Sequence, residues 1–510
     1  MKRALSLLAV CLAAALLCSC AANGVPVTDA APSVTLPPAK TSHVAPIGDA
    51  ALEYTASATL YLPRHDGTRL YAVSTDVSFS FAKPVAESIV RALCAYPGDG
   101  VVSSLGGDVK LSPYGANPVE ISRDVATVNL AATALQLDRQ SLYIVGQAIA
   151  NTLCELSDIH YVNLLVMDKP VSLDIAGTLP MGAFSRSVGQ DVGAAYEQLL
   201  SRRVAATEDA SQQRLSSNVT LYFPIAGANG FMSEVRTCSF ASQDFSDMVA
   251  TILREMANGP QAAIQSPALP LLGDILSVPP ILRDSNVTGG QIVYLAFGYN
   301  LDEMLEAYGL TRAQGLASIC YTLCTFLPGV GGVSVSIGET PVTTLMLTED
   351  FESSVEFQEG VERRCDFAPL LYDNCTLYLS DGQRLVATQR PVPYAQRGNP
   401  RDLLQELAKG PQSYDSVTGL QPAMPANALA DADLLGFAAD SGTMLVNFAP
   451  SVKALGESID AQDERLFAFA MVNTLCHDER VQNVCFFLSG SQWQRFSGEI
   501  DWSGDFAPMY

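Results

Sequence analysis

Several side chains of types that carry chemistry lie close together in this sequence. Cys476, His477, Asp478 and Glu479 put a thiol, an imidazole and two carboxylates side by side. A cysteine nucleophile needs a base within hydrogen-bonding reach. Consecutive helical positions point in different directions, so this run is expected to be structural. Cys320 and Cys324 are one helical turn apart, a spacing that would let two thiolates face one metal ion. Structural zinc asks for four ligands, and no His or second Cys pair accompanies them. They are expected to be small apolar core residues. Pro328-Gly329-Val330-Gly331-Gly332 is glycine-rich, but a phosphate cradle opens a helix, and a strand is predicted to follow here. His160 falls in a loop after a helix and is expected to be solvated. The nucleophile elbow, the P-loop and the H-E-x-x-H motif are all missing. The sequence therefore predicts no catalytic residue, no cofactor-binding residue, no metal ligand and no enzyme.

The chain does repeat one pattern three times. Asn151-Thr152-Leu153-Cys154, Tyr321-Thr322-Leu323-Cys324 and Asn473-Thr474-Leu475-Cys476 each close a long helix. The Thr hydroxyls are expected to bond back to the preceding helical turn, and Asn to tie down a neighbouring loop. Each copy opens on a β-rich run: Ala58 to Pro63, Val219 to Pro224, and Cys375 to Leu379. A turn with Gly follows each. A first helix comes next, ending at Tyr96-Pro97, Gly259-Pro260 and Gly410-Pro411. Gly takes the left-handed position after a helix and Pro cannot continue it. An alternating strand follows, then the long helix, for which Asp460 is the predicted N-cap in the third copy. A last strand closes each copy. The period is about 160 residues, which suits tandem domains and not a solenoid. The predicted fold class is α+β: tandem small domains, each a mixed β-sheet with two amphipathic helices packed on one face. Asp366-Phe367-Ala368-Pro369 recurs as Asp505-Phe506-Ala507-Pro508 and is read as an apolar latch on the preceding domain.

In this order, Leu-Tyr-Phe-Pro, the Gly-Pro helix stop and Asn-Thr-Leu before a Val-rich strand resemble the GerMN domain. That is the sporulation and spore-germination domain family of Gram-positive bacteria, often carried by lipoproteins. The resemblance covers 55–178, 218–348 and 374–490. The first copy departs from it with Tyr96-Pro97-Gly98 and lacks an Arg matching Arg236 and Arg390; the second has Tyr321 in place of Asn. The resemblance implies a part in envelope assembly during sporulation or in germination.

Lys2 and Arg3 precede an apolar run from Ala4 to Leu17, too short to span a bilayer. Leu17-Cys18-Ser19-Cys20 resembles the bacterial lipobox, which makes Cys20 the predicted lipid-attachment residue. The expected plan is a lipoprotein signal peptide over 1–20 and a flexible tether over 21–52. Three GerMN-like domains follow at 53–184, 218–349 and 374–510, the last with a C-terminal tail, joined by linkers at 185–217 and 350–373. With 30 Lys+Arg against 53 Asp+Glu, the net charge of −23 argues against nucleic-acid binding. Nine cysteines remain outside the leader, an odd number that cannot all pair within the chain.

The leading expectation is a non-enzymatic, lipid-anchored envelope protein outside the cytoplasm, acting as an interaction or scaffold module. Its partners would be the membrane, reached through the lipid, envelope or sporulation proteins, and a second copy of itself. The alternative is a solute- or glycan-binding envelope lipoprotein, which needs a cleft with converging polar groups. A cell-wall enzyme with carboxylates far apart in sequence is the third reading.

Overall fold

The computed structural model describes residues 43–510, apart from 50–52, 66, 81–82, 114–116, 209–214, 262–267, 349–352, 426–427, 458, 479, 497–499 and 510. The leader, Cys20 and most of the expected tether lie outside the described residues.

Three units share one order of principal elements. Unit 1 contains β1 (Glu53–Pro63), β2 (Leu70–Ser80), α1 (Val85–Ala95), β3 (Val119–Ser122), β4 (Val125–Leu130), α2 (Arg139–Leu153), β5 (Tyr161–Val166) and the two-residue β6 (Phe184–Ser185). A helix α3 (Val192–Glu208) leads to unit 2: β7 (Leu215–Pro224), β8 (Phe231–Phe240), α4 (Phe245–Ala257), β9 (Ile281–Ser285), β10 (Gly290–Phe297), α5 (Arg312–Phe326, after a short helix) and β11 (Val330–Ile337). Unit 3 repeats the order with β12 (Tyr372–Ser380), β13 (Leu385–Pro393), α6 (Pro400–Ala408), β14 (Leu434–Asp440), β15 (Thr443–Phe448), α7 (Ala461–Cys476), β16 (Asn483–Leu488) and β17 (Asp505–Phe506).

The fold is α+β. Within each unit the strands divide into an antiparallel ribbon and a separate mixed sheet. In unit 1 the ribbon is β1–β2, running from Glu53 opposite Ser80 to Pro63 opposite Leu70. The sheet runs β3–β4–β5, antiparallel then parallel. Parallel neighbours need a crossover, and α2 supplies it. Units 2 and 3 repeat this as β9–β10–β11 and β14–β15–β16.

Local chemistry explains the helices. Asp138, Asp244 and Asp460 accept from the backbone N–H of Ser141, Ser246 and Asp463 and cap α2, α4 and α7. Thr311 and Gln314 form a reciprocal capping box on α5. Gly259 and Gly410 stop α4 and α6 with φ of +71° and +66°, left-handed values that suit Gly. The apolar face of α1 buries Ile89, Val90 and Leu93, and that of α4 buries Ile252, Leu253 and Met256.

Units 1 and 2 share one continuous apolar core, from Leu60 in β1 to Phe326 in α5; unit 3 has its own, centred on Phe467, Phe486 and Trp502. Residues 40–510 form a single compact body. A segment after the last sheet strand closes each unit, and in units 2 and 3 it carries the expected latch motif. Phe184 and Phe506 pair with the last sheet strand through β6 and β17 and are buried there. In unit 2 Glu362 bridges Val333 of β11, and Phe367, five residues further along, is buried.

Residues 43–49, at the end of the expected tether, lie against unit 3. The Gly48 N–H donates to Leu435 O at 2.9 Å, Asn447 Nδ2 donates to Pro46 O at 2.8 Å, and Arg401 pairs with Asp49 at 2.9 Å. Gly436 permits this approach, because a Cβ there would meet the Gly48 carbonyl oxygen at 2.5 Å. Among the described residues no helix is long and apolar enough to cross a membrane.

Candidate functional site

The repeated signature joins the long helix of each unit to its ribbon. Thr152 Oγ1 accepts from the Tyr61 backbone N–H, Thr322 Oγ1 from Tyr222, and Thr474 Oγ1 from Tyr378, at 2.9, 3.1 and 3.2 Å. The partner is the first strand, where the sequence had suggested the preceding helical turn. Asn151 receives the Ser187 N–H at 2.7 Å and donates to the Ser187 carbonyl at 2.8 Å. Asn473 does the same with Met509, at 2.8 and 2.7 Å. Both clamp the chain just after the latch Phe, which agrees with the loop-tying role expected for Asn.

The two arginines missing from the first copy share one task. Arg390 donates to the carbonyls of Glu406 and Gly410, both at 2.6 Å, and forks onto Asp415 at 2.7 Å. Arg236 donates to the carbonyls of Glu255 and Gly259 at the end of α4. Each guanidinium satisfies carbonyls that a helix C-terminus leaves unpaired. In unit 1 the matching ribbon position, opposite Ala58, is Thr75, and among the described residues α1 ends without such a staple.

The three units meet at a buried polar junction. Ser122 Oγ, at the end of β3, donates to Tyr372 O at 2.8 Å and accepts the Ser233 N–H at 3.0 Å, so one hydroxyl touches units 2 and 3. The Arg123 N–H donates to Asp373 at 2.7 Å, and Arg397 pairs with both Asp373 and Asp158 at 2.6 Å. Burial pushes the Asp373 carboxyl up to about 6, against the pull of Arg397. Arg364 crosses from unit 2 to a buried pair with Glu120 of β3 and lies 4.2 Å over the Tyr321 ring. Burial holds Glu120 above the ordinary carboxylate range, with Arg364 acting the other way. The Tyr321 departure therefore coincides with an ion pair found at this joint.

Two features face outward. The outer side of β9 carries no paired strand among the described residues; Ile281, its first residue, is 43% exposed, and Val278 just before it 41%. The equivalent edges are covered. All four residues of β3 are buried, with Tyr394 donating to Val119 O at 2.8 Å. On β14, Leu434 O and Leu435 O are taken by Arg401 and Gly48. The second feature is a groove of about 440 Å³ between α2, α3 and the β6 segment of unit 1 and the ribbon of unit 2.

The residues first considered for chemistry do not assemble. Cys476 is buried, and burial pushes its thiol up to about 12. His477 is exposed with its ring 6.3 Å from that of Tyr378, Asp478 pairs with Arg480, and Glu479 lies outside the described residues. Cys320 and Cys324 are buried, and Cys320 donates to Glu362 O at 3.5 Å. Among the described residues no cluster of three His, Cys, Asp or Glu could hold a metal, and all nine described cysteines are free thiols. His160 is exposed, 3.6 Å from Asp124. Gly332 lets the Glu362 backbone approach β11, where a Cβ would come within 2.8 Å of its carbonyl oxygen. Trp493 and Trp502 are both buried in the unit 3 core.

Residues 59–172 and 376–493 match the Germane family, described as sporulation and spore germination. The match does not extend to unit 2, which shares the element order. No curated protein matches the chain. Among solved structures, the tandem GerMN domains of the Bacillus subtilis sporulation protein GerM are 18% identical, with a TM-score of 0.23, over 61% of this chain and 99% of theirs. The first GerMN domain of that protein is 20% identical, with a TM-score of 0.22, over 26% of this chain and 96% of its own. A candidate lipoprotein of Clostridium perfringens is 17% identical, with a TM-score of 0.18, over 27% and 87%.

Proposed function

We propose that this chain, whose first and third units match the Germane family, is a lipid-anchored module of the cell envelope that serves sporulation or germination by binding a protein partner and not by catalysis. The sporulation and germination setting follows from the family. The lipobox ending at Cys20 supports the anchor. The observation that carries the binding role is the open edge of β9. A strand edge presents unpaired N–H and C=O groups, and an extended segment of a partner can add to it. The chain covers the two equivalent edges with its own residues, and among the described residues no strand pairs with this one. The units also hold one another through Ser122, Arg123 and Arg364, so the body would present that edge in a fixed orientation.

The test is genetic. A strain deleted for this gene is complemented with wild type, Ile281→Lys or Cys20→Ala, and heat-resistant spores and germination times are scored. A lysine beside the edge disfavours strand addition and touches no core. The expected result is rescue by wild type alone, with the Ile281→Lys protein folded at normal levels. Full rescue by Ile281→Lys would overturn the β9 role, and full rescue by Cys20→Ala the need for an anchor.

A further inference from the structure

The groove between units 1 and 2 is separate from the β9 edge and has its own chemistry. Its volume of about 440 Å³ lies within the roughly 300–1,000 Å³ of small-molecule sites. None of its sixteen lining residues is acidic, in a chain with 53 Asp+Glu. A single lining side chain is charged, the Arg186 guanidinium, which is about half exposed. Its Nη2 is held by the Glu155 carboxylate and the Tyr61 hydroxyl. Its Nε and Nη1 make no hydrogen bond among the described residues, so they remain as donors in a fixed plane. These two groups point to opposite sides of the guanidinium, so a carboxylate would take a single charge-assisted hydrogen bond from one of them.

The rest of the lining defines what would be attached to that carboxylate. Ser187, Gln190 and Asn218 offer hydroxyl and amide groups. Met181 and Leu199 add an apolar wall beside the Tyr143 and Phe184 rings, whose centroids are 5.2 Å apart. Phe184 is 5% exposed, so it offers no open face on which a sugar ring could stack. Amide partners, a shallow apolar wall and one cation fit a peptide with small side chains better than a glycan. We propose that this groove binds the C-terminal end of a short peptide, with the terminal carboxylate on Arg186 and small side chains against Met181 and Leu199.

Titration calorimetry on the whole chain tests this with N-acetyl-Ala-Ala, its C-terminal amide and N-acetylmuramic acid. The peptide acid is expected to bind saturably with a Kd of about 1 mM or tighter. The amide, and the acid against Arg186→Gln, should each bind about tenfold more weakly, the effect of losing one charged hydrogen-bonded pair. Ala195→Trp fills the groove without removing a polar group and should abolish binding; Leu199→Trp serves if that variant fails to fold. Binding by Ile281→Lys should be unchanged, which separates this site from the β9 edge. No saturable heat, equal binding of acid and amide, or binding that survives both Arg186→Gln and the filling variant would overturn the proposal. Tighter binding of N-acetylmuramic acid than of the peptide would overturn the peptide assignment.

Discussion

Thr152 on α2 accepts the backbone N–H of Tyr61 on β1 at 2.9 Å, across 91 residues of chain. The same bond recurs between Thr322 and Tyr222 and between Thr474 and Tyr378. A strand donor is thereby satisfied by a helix side chain in a buried contact, and the ribbon is fixed in register on the long helix. Leu-Tyr at the front of each unit and Thr-Leu near its end are two halves of one interaction.

Replacing that hydroxyl should leave the strand N–H buried without a partner, at a cost of about 1–3 kcal/mol. Thr322→Val is the cleanest choice, because its shape is close to Thr and Thr322 is fully buried. Urea unfolding should shift by that amount for Thr322→Val and by clearly less for Thr322→Ser, which keeps the acceptor. Equal losses for both variants would point to packing and count against the hydrogen bond.

Arg390 carries a larger penalty. Its side chain and that of Asp415 are both fully buried and joined at 2.7 Å. Arg390→Met strands the carboxylate and frees the α6 carbonyls, so unit 3 should lose roughly 3–5 kcal/mol. Arg390→Met combined with Asp415→Asn should recover part of that loss, because no buried charge is then left alone. A double variant as unstable as the single one would show that the carbonyl staple, and not the ion pair, dominates.

Much of this architecture is legible in the sequence. The three openings, the Gly-Pro helix stops and the Asp460 cap report local backbone chemistry, which a sequence carries within a few residues. The partners of Thr152 and Arg390 are not local: one lies on a strand in the same unit, the other at the end of a helix, and the recurrence of both types at matched positions was their one signal. The junction left no signal at all. Ser122, Arg123 and Asp373 are single polar residues with no motif, and their meaning depends on how the units pack. The stretch 350–373 reads as a polar linker because it is charged. Arg364 and Glu362 are nevertheless buried, the first against Glu120 and the second under α5 beside Cys320. The β9 edge and the groove are properties of surfaces and have no sequence pattern.

The seating of residues 43–49 on unit 3 depends on Gly436. A side chain there would run into the Gly48 backbone, since a Cβ would stand 2.5 Å from its carbonyl oxygen. Gly436→Val should release this segment while the strand, which favours Val, stays paired with β15. Hydrogen exchange should then rise at Gly48, whose N–H bonds Leu435 O, and limited proteolysis should cut within 43–49. Unchanged protection at Gly48 would mean that the Arg401–Asp49 pair and the Asn447–Pro46 bond hold the segment without the close approach.

Glu362 should make stability depend on pH in the direction opposite to most carboxylates. It is fully buried, and neither carboxyl oxygen has a hydrogen-bond partner among the described residues. Burial holds it well above its ordinary value of 4.5, with the nearby Asp366 adding to the rise. The folded state therefore grips this proton more tightly than the unfolded state does. The contribution is fully present below the unfolded value and is lost as pH rises toward the folded one. Each unit of elevation is worth about 1.4 kcal/mol. Asp373, raised to about 6, acts in the same direction between its ordinary 3.8 and that value. Glu362→Gln keeps the shape and cannot ionise, so it should melt above wild type at pH 7.5 and within about a degree of it at pH 4, where Glu362 is protonated in both states. Thermal melts of both proteins from pH 4 to 8 decide the matter. Parallel curves would mean that Glu362 meets water or a cation in solution and does not carry a buried proton.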